Sequence, residues 1–127
     1  MGKITAEIIQ NFLVENQIEF YSTHQTLCLP IINRIYHKMM FGIKFDEIKI
    51  YKNLIIDGHH RYISSLLAGI KIEFIKSYKT SATVLYEWKN VEFVDEEWDT
   101  PFKINQLNKI DAEFNNIDIE KLIEISK

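Results

Sequence analysis

Two periodicities alternate along this chain. Ile8, Ile9, Phe12 and Leu13 make an apolar stripe behind Thr5, which predicts a helix over residues 5–15 packed against the body. Residues 17–22 alternate around Ile18 and Phe20, as a strand does. Residues 23–29 read as a loop ending at Pro30, and proline at a first helical position predicts a second helix with Ile32, Ile35, Tyr36 and Met39 inward and Gly42 as its stop. Residues 46–51 and 54–57 predict a hairpin around Lys52-Asn53. Ile63, Leu66, Leu67 and Ile70 then recur at helical spacing, and residues 70–75 alternate again, as a strand expected to return beside residues 54–57. Residues 77–83 read as a loop, 84–88 fit helix or strand equally, and 91–94 read as a strand. Thr100-Pro101 starts a helix with Ile104 and Leu107 on one face, and a last helix uses Ile119, Leu122 and Ile123. The expected class is α+β: a small mixed β-sheet with packed helices, in one domain over residues 1–127 with additional helices at both ends.

Composition agrees with a single core. The chain has 127 residues, 46% hydrophobic and 13% aromatic, enough to bury one ordinary core. Its apolar runs are shorter than a membrane span and no basic stretch leads into an apolar one near the start, so the expectation is a protein acting in the cytoplasm with no membrane partner. The lone Cys28 permits no internal disulfide and fits a reducing compartment. Net charge is −3, unevenly placed: residues 1–91 hold 11 Lys/Arg against 8 Asp/Glu, and residues 92–127 hold 4 against 10. This is not the balance of a dedicated DNA-coating protein.

Candidate chemistry concentrates at Asp57-Gly58-His59-His60-Arg61-Tyr62, where a strand runs through a tight turn into a helix. The first backbone N–H groups of such a helix are unpaired and carry partial positive charge, which suits a phosphate or carboxylate. Arg61 can grip an oxyanion with two parallel N–H bonds, and His59 or His60 can hold or release a proton near neutral pH. Gly58 would let the backbone approach a ligand, and Asp57 could orient a histidine or hold magnesium. The plainer alternative makes Asp57 an N-cap and the histidines solvated first-turn residues. His60 is preferred over His59 as the acid or base, because His59 shares a helical face with Ile63. Two further groups stand out. Arg34, His37, Lys38 and Phe41 share the outer face of the second helix, a basic stripe that is either a nucleic-acid contact or an ordinary solvated face. Glu92, Asp95, Glu96, Glu97 and Asp99 cluster around Trp98, as a cation site or a solvated surface.

The run Ile56-Asp57-Gly58-His59-His60-Arg61-Tyr62, with Ala68 and Gly69 closing the helix, resembles the phosphate-binding signature of the ParB/sulfiredoxin fold, and Lys44 through Ile70 is similar to that family's hairpin-plus-helix core. The resemblance implies binding of a nucleoside triphosphate or diphosphate with Mg2+, and an activity that is either phosphoryl transfer by a nucleotide-dependent phosphotransferase or NTPase, or phosphodiester cleavage by a nuclease. The alternative is a non-catalytic nucleotide- or nucleic-acid-binding module. It also implies that His24 or Gln25, in the loop after the first core strand, faces the signature helix. The chain departs from partition proteins, which carry an acidic residue and two arginines after the glycine, and from sulfiredoxins, whose reactive cysteine stands where this chain has His59. Asn33-Arg34-Ile35-Tyr36 through the signature, and Trp98-Asp99-Thr100-Pro101 through Asp111-Ala112, resemble small domains at the C-terminal tips of bacterial polymorphic toxins, which implies a cellular target and an immunity protein as partner.

Overall fold

A computed structural model describes residues 3–126. Helix α1 (Ala6–Glu15) is capped by Thr5, whose hydroxyl accepts the Ile8 N–H at 3.2 Å, and it buries Ile9 and Leu13. The chain then runs through β1 (Thr26–Cys28) into α2 (Leu29–Met40), the hairpin β2 (Ile48–Tyr51) and β3 (Leu54–Asp57), and α3 (His59–Ala68). Strand β4 (Phe74–Lys76), a single 3₁₀ turn (Trp88–Asn90) and β5 (Glu92–Val94) follow, and the chain closes with α4 (Pro101–Phe114) and α5 (Ile119–Ile125). The class is α+β, with helices packed on two small sheets.

Two expectations about the sheets are corrected. Residues 23–29 are not all loop: Thr26–Cys28 is a strand that pairs in parallel with β5, Thr26 opposite Glu92 and Cys28 opposite Val94. Residues 70–75 do not return beside β3. Strand β4 instead lies parallel to β2, so β2 is the central strand of the order β3-β2-β4. The reason is that β3's other side is already occupied: Tyr21 bridges Leu54, its N–H donating to Asn53 at 2.7 Å and its carbonyl accepting from Ile55 at 3.0 Å. Of the alternating residues 17–22, only Tyr21 and Ser22 form isolated bridges, Tyr21 at that edge, and no full strand results. The undecided segment 84–88 supplies one such bridge, Tyr86 to Ser22, and then turns at Trp88.

The core lies where α1, α2 and α3 meet the sheets. Ile9, Leu27, Ile32, Ile48, Ile55 and Ile63 are its fully buried members, and Trp88 closes it with its indole N–H donating to the Phe20 carbonyl at 2.8 Å. Buried Asn33 ties the start of the chain down: it accepts the Ile4 N–H at 2.7 Å and donates to the Ile4 and Leu29 carbonyls. A second small cluster holds α5 against the body, built from Ile43, Ala112 and fully buried Leu122. Among the described residues no helix is long and apolar enough to cross a membrane.

Candidate functional site

Strand β3 delivers the chain to Gly58, which adopts φ +98° and ψ 27° and caps α3 without any side-chain bond. Only glycine fits this corner. A Cβ there would lie 2.7 Å from the Ile48 Cγ2 and 2.8 Å from an Arg61 guanidinium nitrogen, in a conformation that L side chains rarely adopt. Gly58→Ala should therefore lower stability by about 1–3 kcal/mol. It should also push Arg61 from its seat. A denaturation midpoint equal to that of the parent would show that the corner relaxes freely.

The plainer alternative, Asp57 as an N-cap, does not occur. Its carboxylate is exposed and stands 3.8 Å from the Arg61 guanidinium, with no bond to a histidine. Arg61 itself donates to the Glu47 carbonyl at 3.1 Å, while its Nε is buried without a partner. The guanidinium lines a cavity of about 260 Å³ between α2 and α4, together with Arg34, Lys44, Asp46 and Asp99 and an apolar wall that includes Ile35, Leu107 and Phe114.

Both histidines are folded into the backbone. His59 is buried; its Nε2 accepts the Thr23 N–H at 3.0 Å, its ring stacks on that of His24 at 3.9 Å, and its Nδ1 has no partner. The Nε2 of His60 accepts the Cys28 N–H at 3.0 Å, and the edge of Trp98 meets its ring at 5.5 Å. A backbone N–H can only donate, so each Nε2 is unprotonated and each proton sits on Nδ1. Their titration follows from this. Burial lowers His59 to about 3, helped by His24 and His60. Burial also lowers His60 to about 4, with His24, Arg34 and Arg61 in the same sense and Asp99 opposing. Neither is poised near neutral pH, as acid–base catalysis would ask of them.

Of the other expected site residues, His24 reaches the turn through its stack on His59. Gln25 is exposed, and its carbonyl accepts the Glu92 N–H at 2.8 Å, tying it to the sheet. Tyr62 faces the core, not a ligand: its ring meets Phe20 edge-on and its hydroxyl accepts the Phe20 N–H at 3.3 Å, while burial raises its pKa. The basic stripe is also corrected. Lys38 is buried beneath α4, bonded to the Asn108 side chain at 2.7 Å and to Asp111 at 2.8 Å, and Arg34 is gripped by Glu97 and Asp99. His37 shares that face, against the Tyr36 ring, with its Nε2 buried and unpartnered. Of the acidic cluster, Glu97 and Asp99 pair with Arg34, and among the described residues no group of three or more His, Cys, Asp or Glu is placed to hold a metal ion.

No family model, curated protein or solved structure matches this chain. Three groups with no expected part in the site complete it: Thr23, whose hydroxyl anchors the loop to the Ile55 carbonyl at 2.6 Å, the Cys28 amide, and Trp98 against the His60 ring. Only their neighbours in space reveal them.

Proposed function

We propose that this chain is a ParB-like domain that binds a phosphate-bearing ligand, a nucleotide by preference, at the amino end of α3. The observation that carries the reading is Arg61. Arg61 belongs to the first turn of a helix with no side-chain cap and is the one residue of the 57–62 turn that lines the cavity, with a weak carboxylate contact at 3.8 Å and a buried Nε that no group satisfies. An oxyanion arriving there gains a charge-assisted bond and the partial charge of the helix end.

Binding without turnover is the form the geometry favours, because both Nε2 lone pairs are taken by backbone amides. Phosphoryl transfer or phosphodiester cleavage is the second reading. What favours it is the exposed Asp57 carboxylate at the turn, free to take a proton or to hold Mg2+ beside the phosphate. A toxin role with an immunity partner rests on the resemblance of two stretches, Asn33–Tyr36 through the signature and Trp98–Pro101 through Asp111-Ala112. Calorimetric titration with ATP, ADP, CTP and inorganic phosphate, with product analysis on the same samples and on plasmid DNA, tests the reading. Arg61→Ala should weaken binding by roughly ten- to a hundredfold, the value of a lost charge-assisted bond. Unchanged affinity in that variant, or no binding by the parent protein, would overturn it. Product formation abolished by Asp57→Asn would decide for the enzyme.

A further inference from the structure

The β2–β3 hairpin and the segment beginning at β4 lie side by side, with Ile50 opposite Lys76 and the Ser77 N–H donating to the Ile50 carbonyl at 2.6 Å. Residues 48–56 and 74–86 contain four lysines, three tyrosines and not one carboxylate. In a chain of net charge −3 this is a local reversal. The cations are not neutralised by neighbours: Lys49, Lys52, Lys76 and Lys79 are all exposed, and none has a carboxylate within ion-pair distance among the described residues.

The aromatic rings are arranged among these cations. Lys52 and Lys79 both bring their ammonium groups to Tyr51, 5.5 and 5.6 Å from its ring centre. Tyr51, Lys52, Lys76, Ser77 and Tyr78 line one open concavity of about 450 Å³. Tyr78 is 87% exposed, so its ring is packed against nothing. Like charges held together without counter-charge cost free energy unless an anion joins them. Flat rings set among cations suit a ligand that alternates anionic groups with planar apolar ones.

We propose that this face binds single-stranded nucleic acid, with Tyr78 stacking on a base and Lys52, Lys76 and Lys79 contacting the phosphates, Lys52 and Lys79 being held in place over Tyr51. The site is separate from the α3 terminus and does not depend on the reading given there. An acidic peptide would satisfy the lysines but leave the Tyr78 ring idle. A duplex hides the faces of its bases and gives that ring nothing to stack on.

The test is fluorescence anisotropy of the full chain with labelled oligo-dT, oligo-U, a duplex of the same length, and unlabelled poly-glutamate as competitor. Single strands should bind better than the duplex, and log affinity should fall with log salt with a slope of about −2, near −0.7 for each of three neutralised phosphates. Tighter binding of oligo-U than of oligo-dT would assign the ligand as RNA, and equal binding would assign it as either strand chemistry; both support the site. Tyr78→Ala should weaken binding by roughly tenfold, Tyr78→Phe should preserve it, and joint replacement of Lys52, Lys76 and Lys79 by Gln should flatten the salt slope. The lysine variant should still bind nucleotide as the parent does. Because Tyr78 is unpacked, its replacement leaves the fold intact. Duplex binding as tight as single-strand binding, equal displacement by poly-glutamate, or indifference to Tyr78→Ala would overturn the proposal.

Discussion

Acidification from about pH 7.5 to about pH 5 should cost the folded protein about 4 kcal/mol, before its carboxylates begin to titrate. The cause is the pair His59 and His60, held at about 3 and about 4 in the folded state chiefly by burial. In the unfolded chain both return to about 6.5. Above that value neither state is protonated and stability is complete. Below it the unfolded chain takes up protons that the folded one refuses, so each histidine removes about 1.4 kcal/mol per pH unit until its folded value is reached. Chemical denaturation at the two pH values measures the loss. His60→Gln keeps an acceptor for the Cys28 N–H and should remove about half of it. A parent protein equally stable at both values would mean that the imidazoles open to water freely.

The second large effect belongs to Lys38. Replacing it by Ala should destabilise the protein by about 3–5 kcal/mol, because Asp111 and Asn108 would keep their polar groups in a poorly solvated site without the ammonium that now bridges them. The double variant Lys38→Met, Asp111→Leu should recover most of that loss, since removing both charges removes the need for pairing. Thermal or denaturant unfolding of the two single variants and the double gives the coupling directly. A Lys38→Ala variant within about 0.5 kcal/mol of the parent would show that the pair is solvated and contributes as little as a surface bridge.

Local signals foretold local structure. Thr5 and Thr100 cap the helices they precede, the hairpin forms around Lys52-Asn53, and α3 opens one residue after Asp57-Gly58 and ends before Gly69. Each of these features depends on residues within a few positions of one another. What was not legible depends on distant partners. Strand β1 has only three residues and runs directly into α2, so its strand character comes from β5. Of the alternating residues 70–75 only the end is strand, in Phe74–Lys76, and the choice of β2 over β3 was decided by Tyr21. Lys38 sits one helical turn from Arg34 and looked solvent-facing, because the helix that covers it begins only at Pro101. At the site, the turn and Arg61 were readable, whereas the engagement of both imidazoles depends on Thr23 and Cys28, contributed by an earlier part of the chain.

The parallel pairing of β1 with β5 also sets an order of events during synthesis. Thr26–Cys28 leaves the ribosome long before Glu92–Val94, so β1 has no strand to join until the whole intervening stretch has been made. The hairpin and α3, whose contacts are close in sequence, can form first, but closing the long loop from Cys28 to Glu92 comes late and carries the larger entropic cost. His60 waits with it: its anchor is the Cys28 amide at the end of that same strand. A nascent chain halted before β5 therefore carries the signature residues in sequence, yet lacks the strand that completes their setting.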